Sequence, residues 1–191
     1  MLLDAPTANL LVDEAVDAIR SAPETFYEVL DQLPAPIYVT DQAGTITYFN
    51  NACVELAGRT PTLGRDKWCV TWKIFTIDGE FLPHDQCPMA VAIREKRAVR
   101  NVEAIAERPD GTRVNFAPFP TPYYDSDGNL AGAVNLLLDI TPQRGPAYLR
   151  DQAARCSRLA HSVTDIGTAE TLTLMAAKYE SEALKLSRRS G

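Results

Sequence analysis

Three β-rich runs joined by two Asp-Gly turns constrain the fold of this chain more than any other feature. Val99 to Glu107 leads into Pro109-Asp110-Gly111, Thr112 to Tyr124 leads into Asp125-Ser126-Asp127-Gly128, and Leu130 to Asp139 closes the set. Turns this short join only antiparallel neighbours, because a parallel pair needs a long crossover. A further pair lies upstream. Ile37-Tyr38-Val39-Thr40 and Thr45-Ile46-Thr47-Tyr48-Phe49 are rich in β-branched and aromatic residues and flank the turn Asp41-Gln42-Ala43-Gly44, which reads as a hairpin. The expectation is a five-stranded antiparallel sheet.

Helical patterns fill the gaps between these runs. Asn50-Asn51 can cap a short helix through about Leu56, stopped by Gly58. Pro88 to Lys96 reads as a second, with Pro88 in its first turn and Met89, Ala92 and Ile93 apolar. Residues 59–87 read as irregular, with turn signals at Asp78-Gly79 and Pro83. Residues 1–24 hold an amphipathic helix, with Leu10, Leu11, Ala15, Ala18 and Ile19 as its stripe and Ser21-Ala22-Pro23 as its break. That stripe has no partner in the sheet assigned to it, so it could pair across a two-fold axis. A short helix from about Glu24 to Gln32 follows, ended by Pro34 and Pro36. Residues 142–191 read as a helical hairpin. Tyr148, Leu149, Ala153, Cys156, Leu159, Ala160 and Val163 stripe its first helix; Thr168 begins the second, striped by Leu172, Met175, Ala176, Tyr179, Ala183 and Leu186. The fold class is therefore α+β: an antiparallel sheet with helices on one face, flanked by an N-terminal helix (1–24) and a C-terminal α-hairpin (142–191), around a domain at 25–141.

Composition excludes several function classes. A chain of 191 residues with 46% hydrophobic and 23% charged residues can bury its own core, which argues against wholesale disorder. A net charge of -6 argues against a nucleic-acid binder. The eight Lys/Arg against five Asp/Glu in residues 142–191 are the one local basic excess. The four cysteines, Cys53, Cys69, Cys87 and Cys156, show no Cys-x-x-Cys spacing, and two histidines supply a zinc site poorly. Scattered thiols fit a reducing cytosol. The start carries acids through its apolar stretch, unlike a signal peptide, and the longest apolar run is too short to span a bilayer.

Four segments in order resemble a PAS domain. Leu30-Asp31-Gln32-Leu33-Pro34-Ala35-Pro36-Ile37-Tyr38-Val39-Thr40-Asp41 resembles its opening. Gly44 to Ala52 resembles the second strand and the Asn cap after it. Glu107-Arg108-Pro109-Asp110-Gly111-Thr112 resembles a later turn. Asp127-Gly128-Asn129-Leu130-Ala131-Gly132-Ala133-Val134, ending at Asp139-Ile140-Thr141, is the most specific. The resemblance covers roughly residues 25–141. It implies a bacterial sensory or adaptor module, of the kind found in two-component signalling, that takes a small ligand or a redox cue or mediates dimerisation. It also implies that Asp139, Ile140 and Thr141 relay the signal to the following helices.

The cleft between sheet and helices is the natural pocket. Val114, Phe116, Val134, Leu136 and Leu138 alternate suitably to line or fill it. Trp68, Trp72 and Phe75 could stack a planar molecule or plug the site. The family's haem sensors suggest His84 or Cys87 as an iron ligand, although His84 precedes the helix, where His84-Asp85 capping or ordering the helix entry is the favoured reading. A flavin is a second possibility, but neither Asn51-Ala52-Cys53 nor Trp68-Cys69-Val70 matches the reactive-cysteine motif of light-sensing relatives. His161 invites comparison with a kinase phosphoacceptor, but no ATP-lid pattern accompanies it. No nucleophile elbow or metal-ligand set appears, so no catalytic residue is assigned. The expected function is a cytosolic PAS signalling protein, a homodimer, that acts on a protein partner through its C-terminal helices. The alternatives are a transcription regulator using the arginines at 144, 150, 155, 158, 188 and 189, or a ligand-free dimerisation module.

Overall fold

The computed structural model describes residues 4–21, 26–33, 35–141, 145–163 and 165–189. It separates into two compact units, Met1–Asp139 and Ile140–Gly191. The boundary between them falls inside Asp139-Ile140-Thr141, the segment expected to relay.

The first unit is built on β8 (Leu130–Asp139), a ten-residue strand at the middle of the sheet. On one side it pairs antiparallel with β1 (Ile37–Asp41), and β1 with β2 (Ile46–Phe49). On the other side it pairs with β6 (Arg113–Pro118) and, nearer its start, with β7 (Thr121–Tyr124). β5 (Ala104–Glu107) lies beyond β6, and β3 (Lys73–Phe75) and β4 (Phe81–Leu82) complete the edge. The sheet thus has eight strands rather than five. Two causes account for the difference. The run Thr112–Tyr124 breaks in two at Phe119-Pro120, where prolines at 118, 120 and 122 withhold the N–H groups a ladder needs. And residues 59–87, expected to be irregular, contain a small hairpin across Asp78-Gly79, too short to show period-2 patterning.

Helices cover both faces of the sheet rather than one. The core face carries α3 (Asn51–Ala57) and α4 (Pro88–Glu95). The Asn50 side chain caps α3 by accepting from Cys53 N, and Gly58 ends it in the left-handed region at φ 63°. The same amide donates to the carbonyls of Leu30 (3.3 Å) and Ala35 (2.8 Å) and accepts from Ile37 N, so one buried side chain ties three segments together. The opposite face is covered by α1 (Ala5–Ser21), which packs on β8, β7 and the short α2 (Phe26–Gln32). The N-terminal stripe therefore has a sheet partner. Its buried members are Ala8, Val12, Ala15 and Val16, whereas Leu10 is 65% exposed: the buried seam is offset from the one expected. The expected break at Ser21-Ala22-Pro23 and the stop at Pro34 fall at or beyond the edge of the described residues.

The second unit is a helical hairpin, α5 (Pro146–Ser162) and α6 (Ile166–Arg189). Asp165 caps α6, accepting from Thr168 N at 2.7 Å, so the helix begins two residues before Thr168. Arg150 donates to Ser187 Oγ at 2.9 Å, closing the open end of the hairpin. Its buried residues are mostly small: Leu149, Ala153, Cys156, Ala176 and Ala183. Leu159, Ile166, Leu174, Met175 and Leu184 are exposed. Among the described residues no helix is long and apolar enough to cross a membrane.

Candidate functional site

Strand parity decides what faces the compartment between the sheet and α3–α4. Tyr38 is opposite Asn135, Ala104 opposite Phe116, and Ala106 opposite both Val114 and Ile74. These residues, with Ala133 and Leu137, point to one side, where they meet Cys53, Leu56, Cys69, Val70, Cys87, Met89 and Ile93. Trp68 packs against this cluster from its margin. Phe116 and Val114, expected to line or fill the pocket, lie in this packed cluster. Val134 and Leu136 do not. They pair with Val39 and Ile37, one residue out of phase, and so face the side covered by α1. The expected alternation counted Phe116 and Val134 on one face, whereas Phe116 faces Asp139 in the ladder and shares the parity of Asn135 and Leu137. Phe75 likewise alternates away from Ile74. It stands edge-on to Phe81 at 5.8 Å with the Arg113 guanidinium 4.5 Å from its ring centre. Trp72 is 44% exposed beneath the Lys73 ammonium and is outside the compartment. Of the proposed stacking residues, only Trp68 remains at the site.

Trp68 is held unusually. Its φ of 69° lies in the left-handed region, costly for a bulky side chain. Its N–H donates to Gly44 O at 2.7 Å. The indole lies over Gly44, where a Cβ would come within 2.2 Å of the ring; at φ 76° that position suits glycine twice over. Its carbonyl points inward and accepts from the Tyr38 hydroxyl at 2.8 Å. Asn135 Nδ2 donates to that hydroxyl at 3.0 Å, and Asn135 Oδ1 accepts from Phe119 N at 2.9 Å. Tyr38 and Asn135 are both buried. Sequence reading passed over this pair. The signal was available: an amide within Gly132-Ala133-Val134-Asn135-Leu136-Leu137-Leu138 must find partners if the strand is buried.

Three thiols reach the same interior from separate elements. Cys53 Sγ donates to Ile37 O at 3.2 Å, Cys69 Sγ is 3.2 Å from Thr71 Oγ1, and Cys87 Sγ lies 3.9 Å from Trp68 O. Burial pushes all three thiols up, Cys87 to about 12. They are protonated at neutral pH and poor nucleophiles. Among the described residues no group of three or more His, Cys, Asp or Glu is placed to hold a metal ion.

His84 sits in a 3-10 turn, His84–Gln86, just before α4. The turn closes through its backbone, Cys87 N donating to His84 O at 3.2 Å, with no cap from a side chain. Nε2 of His84 is buried with no hydrogen-bond partner among the described residues, and burial, then the nearby Arg59, holds the imidazole below its ordinary pKa. Thr40 Oγ1, on the compartment side of β1 opposite Ala133 and Ile46, is likewise buried and unpartnered. His161 is exposed near the end of α5, its Nδ1 2.6 Å from Ser157 O. Side chains of Arg188 and Arg189, and all of Arg144, fall outside the described residues.

A family model described as "PAS domain" matches residues 34–142, more than half of the chain. Solved structures resemble it at low identity. An RNA-binding Light-Oxygen-Voltage receptor is 22% identical over 64% of this chain and 34% of its own, with a TM-score of 0.48. This chain thus spans about a third of that protein. The Rhodobacter sphaeroides LOV protein is 14% identical over 93% of this chain and 96% of its own, TM-score 0.45. The PAS domain of Bordetella pertussis BvgS is 20% identical over 62% of this chain and 84% of its own, TM-score 0.40. No curated protein matches the chain by sequence.

Proposed function

The chain belongs to the PAS domain family, a family of sensory signalling modules, and we propose that it senses a small ligand in the compartment walled by Tyr38, Trp68, Met89 and Phe116. The signal leaves through Asp139, Ile140 and Thr141 to the helices of residues 142–191, which engage a signalling protein. The protein acts in the cytoplasm, as a homodimer, with no catalytic chemistry of its own. The observation that carries the ligand reading is Thr40, whose hydroxyl faces an apolar interior with its hydrogen-bonding capacity unmet. A ligand with one polar group would satisfy it. The depressed reactivity of the three thiols turns the reading away from a redox cue and from a cysteinyl–flavin bond. A haem bound through His84 or Cys87 is a weaker form of the same proposal, since Cys87 and the Nε2 atom of His84 are both buried.

An ultraviolet–visible spectrum of the purified protein, followed by extraction and mass spectrometry, tests this. A stoichiometric organic molecule is the expected result, and Thr40→Val should weaken its retention. In stripped protein the same substitution should raise stability by about 1 kcal/mol, because it removes an unmet polar group at nearly constant volume. An empty extract, with Thr40→Val neutral, would sink the ligand reading. It would favour the ligand-free module, for which the close-packed residues Tyr38, Met89 and Phe116 speak.

A further inference from the structure

The break between β6 and β7 is held by side chains from both of its sides, and this has a consequence for α1. Prolines at 118, 120 and 122 leave the segment short of ladder donors. From the compartment, Asn135 Oδ1 shares the N–H of Phe119 with the carbonyl of Leu136, each at 2.9 Å. From the other side, Arg100 donates to Pro120 O at 3.1 Å and to Thr121 Oγ1 at 2.8 Å, with its guanidinium 5.5 Å from the Phe119 ring centre. Val99 N donates to Pro120 O as well. Arg100 then reaches α1, its Nε donating to Asn9 Oδ1 at 2.6 Å; burial lowers the guanidinium's pKa, and the charge of Asp13 on the same helix partly opposes that.

We propose that Arg100 is a latch which couples the compartment to the N-terminal helix. The path runs from the Trp68 carbonyl through Tyr38, Asn135 and the Phe119-Pro120 break to Arg100 and Asn9. Every link is a hydrogen bond or a single residue step. The apolar seat of α1 is made by small side chains, Ala8, Val12, Ala15 and Val16, so the charge-assisted contact weighs heavily in holding it. A shift of Trp68 or Tyr38 moves Asn135, withdraws one of the two acceptors of Phe119 N while Leu136 O keeps the other, and so loosens the carbonyl and hydroxyl that position Arg100. Release of α1 bares Val134 and Leu136 on the outer face of β8. The inference goes beyond the ligand reading, since the path exists whatever perturbs the core.

Hydrogen exchange of the full chain tests the latch, with opening of α1 measured relative to global unfolding. Arg100→Gln should speed exchange across residues 5–21 by about tenfold or more, the loss of a charged hydrogen bond. Asn9→Ala in the Arg100→Gln background should then add little. Tyr38→Phe should speed the same amides several-fold, whereas Thr71→Val, which removes a buried hydroxyl off the path, should not. Coupling is reciprocal, so Arg100→Gln in a Trp72→Phe background must also shift the indole resonance of Trp68. That arm uses exposed or half-buried positions and stands even where Tyr38→Phe does not fold. Unchanged α1 exchange in Arg100→Gln would overturn the latch. An unmoved Trp68 resonance, or equal effects of Tyr38→Phe and Thr71→Val, would overturn the coupling.

Discussion

The two faces of β8 are built from alternate residues of one strand, yet they are different kinds of surface. The odd positions, Ala133, Asn135 and Leu137, meet a wide cluster that includes aromatics, thiols and a buried Tyr–Asn pair. The even positions, Val134, Leu136 and Leu138, are aliphatic, and one helix with small side chains covers that face. On the first face contacts come from α3, α4 and strands across the whole sheet, so no element can leave without the rest. On the second, α1 is a single continuous helix whose packing is mainly on β8, β7 and α2. One face is the cooperative core of the unit, and the other is a cover that can open locally.

The largest expected effect breaks the first face. Phe116→Ala removes a buried aromatic from the middle of the cluster and should cost roughly 3–5 kcal/mol, read from denaturant midpoints. Amides of β1, β5 and β8 should lose protection together. A loss confined to β6 would show that the core face is less cooperative than its packing implies. A smaller effect separates the faces. Val12→Asp places a carboxylate at the buried seam of α1. The helix should detach at a cost of about 2 kcal/mol, near the value of one buried aliphatic side chain. Exchange should rise across residues 5–21 while the centre of β8 stays protected. Equal loss of protection in α1 and β8 would mean that both faces belong to one cooperative unit.

The same comparison explains what could be read in advance. The Asp-Gly turns and the Asn50 cap act over a few residues, and both stand where the pattern put them. Antiparallel order and the start of α4 at Pro88 followed from equally local signals. Face assignment did not. In β8 every residue from Gly132 to Leu138 is buried, so hydropathy shows no alternation to count. Only the ladder shows that Val134 belongs with Val39 and not with Phe116. The site depends on the same long-range facts. Trp68 acquires its role from Gly44, and Tyr38 from Asn135 at a separation of 97 residues. The strand break at Phe119-Pro120 was announced by three prolines, a signal present but outweighed by the β-rich residues around it.

The smallest effect concerns the far margin of the core face, where His84 sits. Burial, and then the positive charge of Arg59, disfavour its imidazolium in the folded state, while Asp66 and Asp85 only partly oppose them. The unfolded chain, with an imidazole pKa of about 6.5, therefore takes up the proton first. Stability contributed by the neutral ring is complete above that pH and is lost as the pH falls below it. Unfolding midpoints should decline from about pH 7 toward pH 5, before the carboxylates of Asp110 and Glu107, held below their ordinary range by hydrogen bonds from Thr112 and Arg113, begin to protonate. His84→Gln should flatten that decline. A slope insensitive to His84→Gln would mean that the unpartnered nitrogen finds a proton-tolerant partner in solution. The margin of the compartment would then be open to water in a way that the Tyr38–Asn135 centre is not.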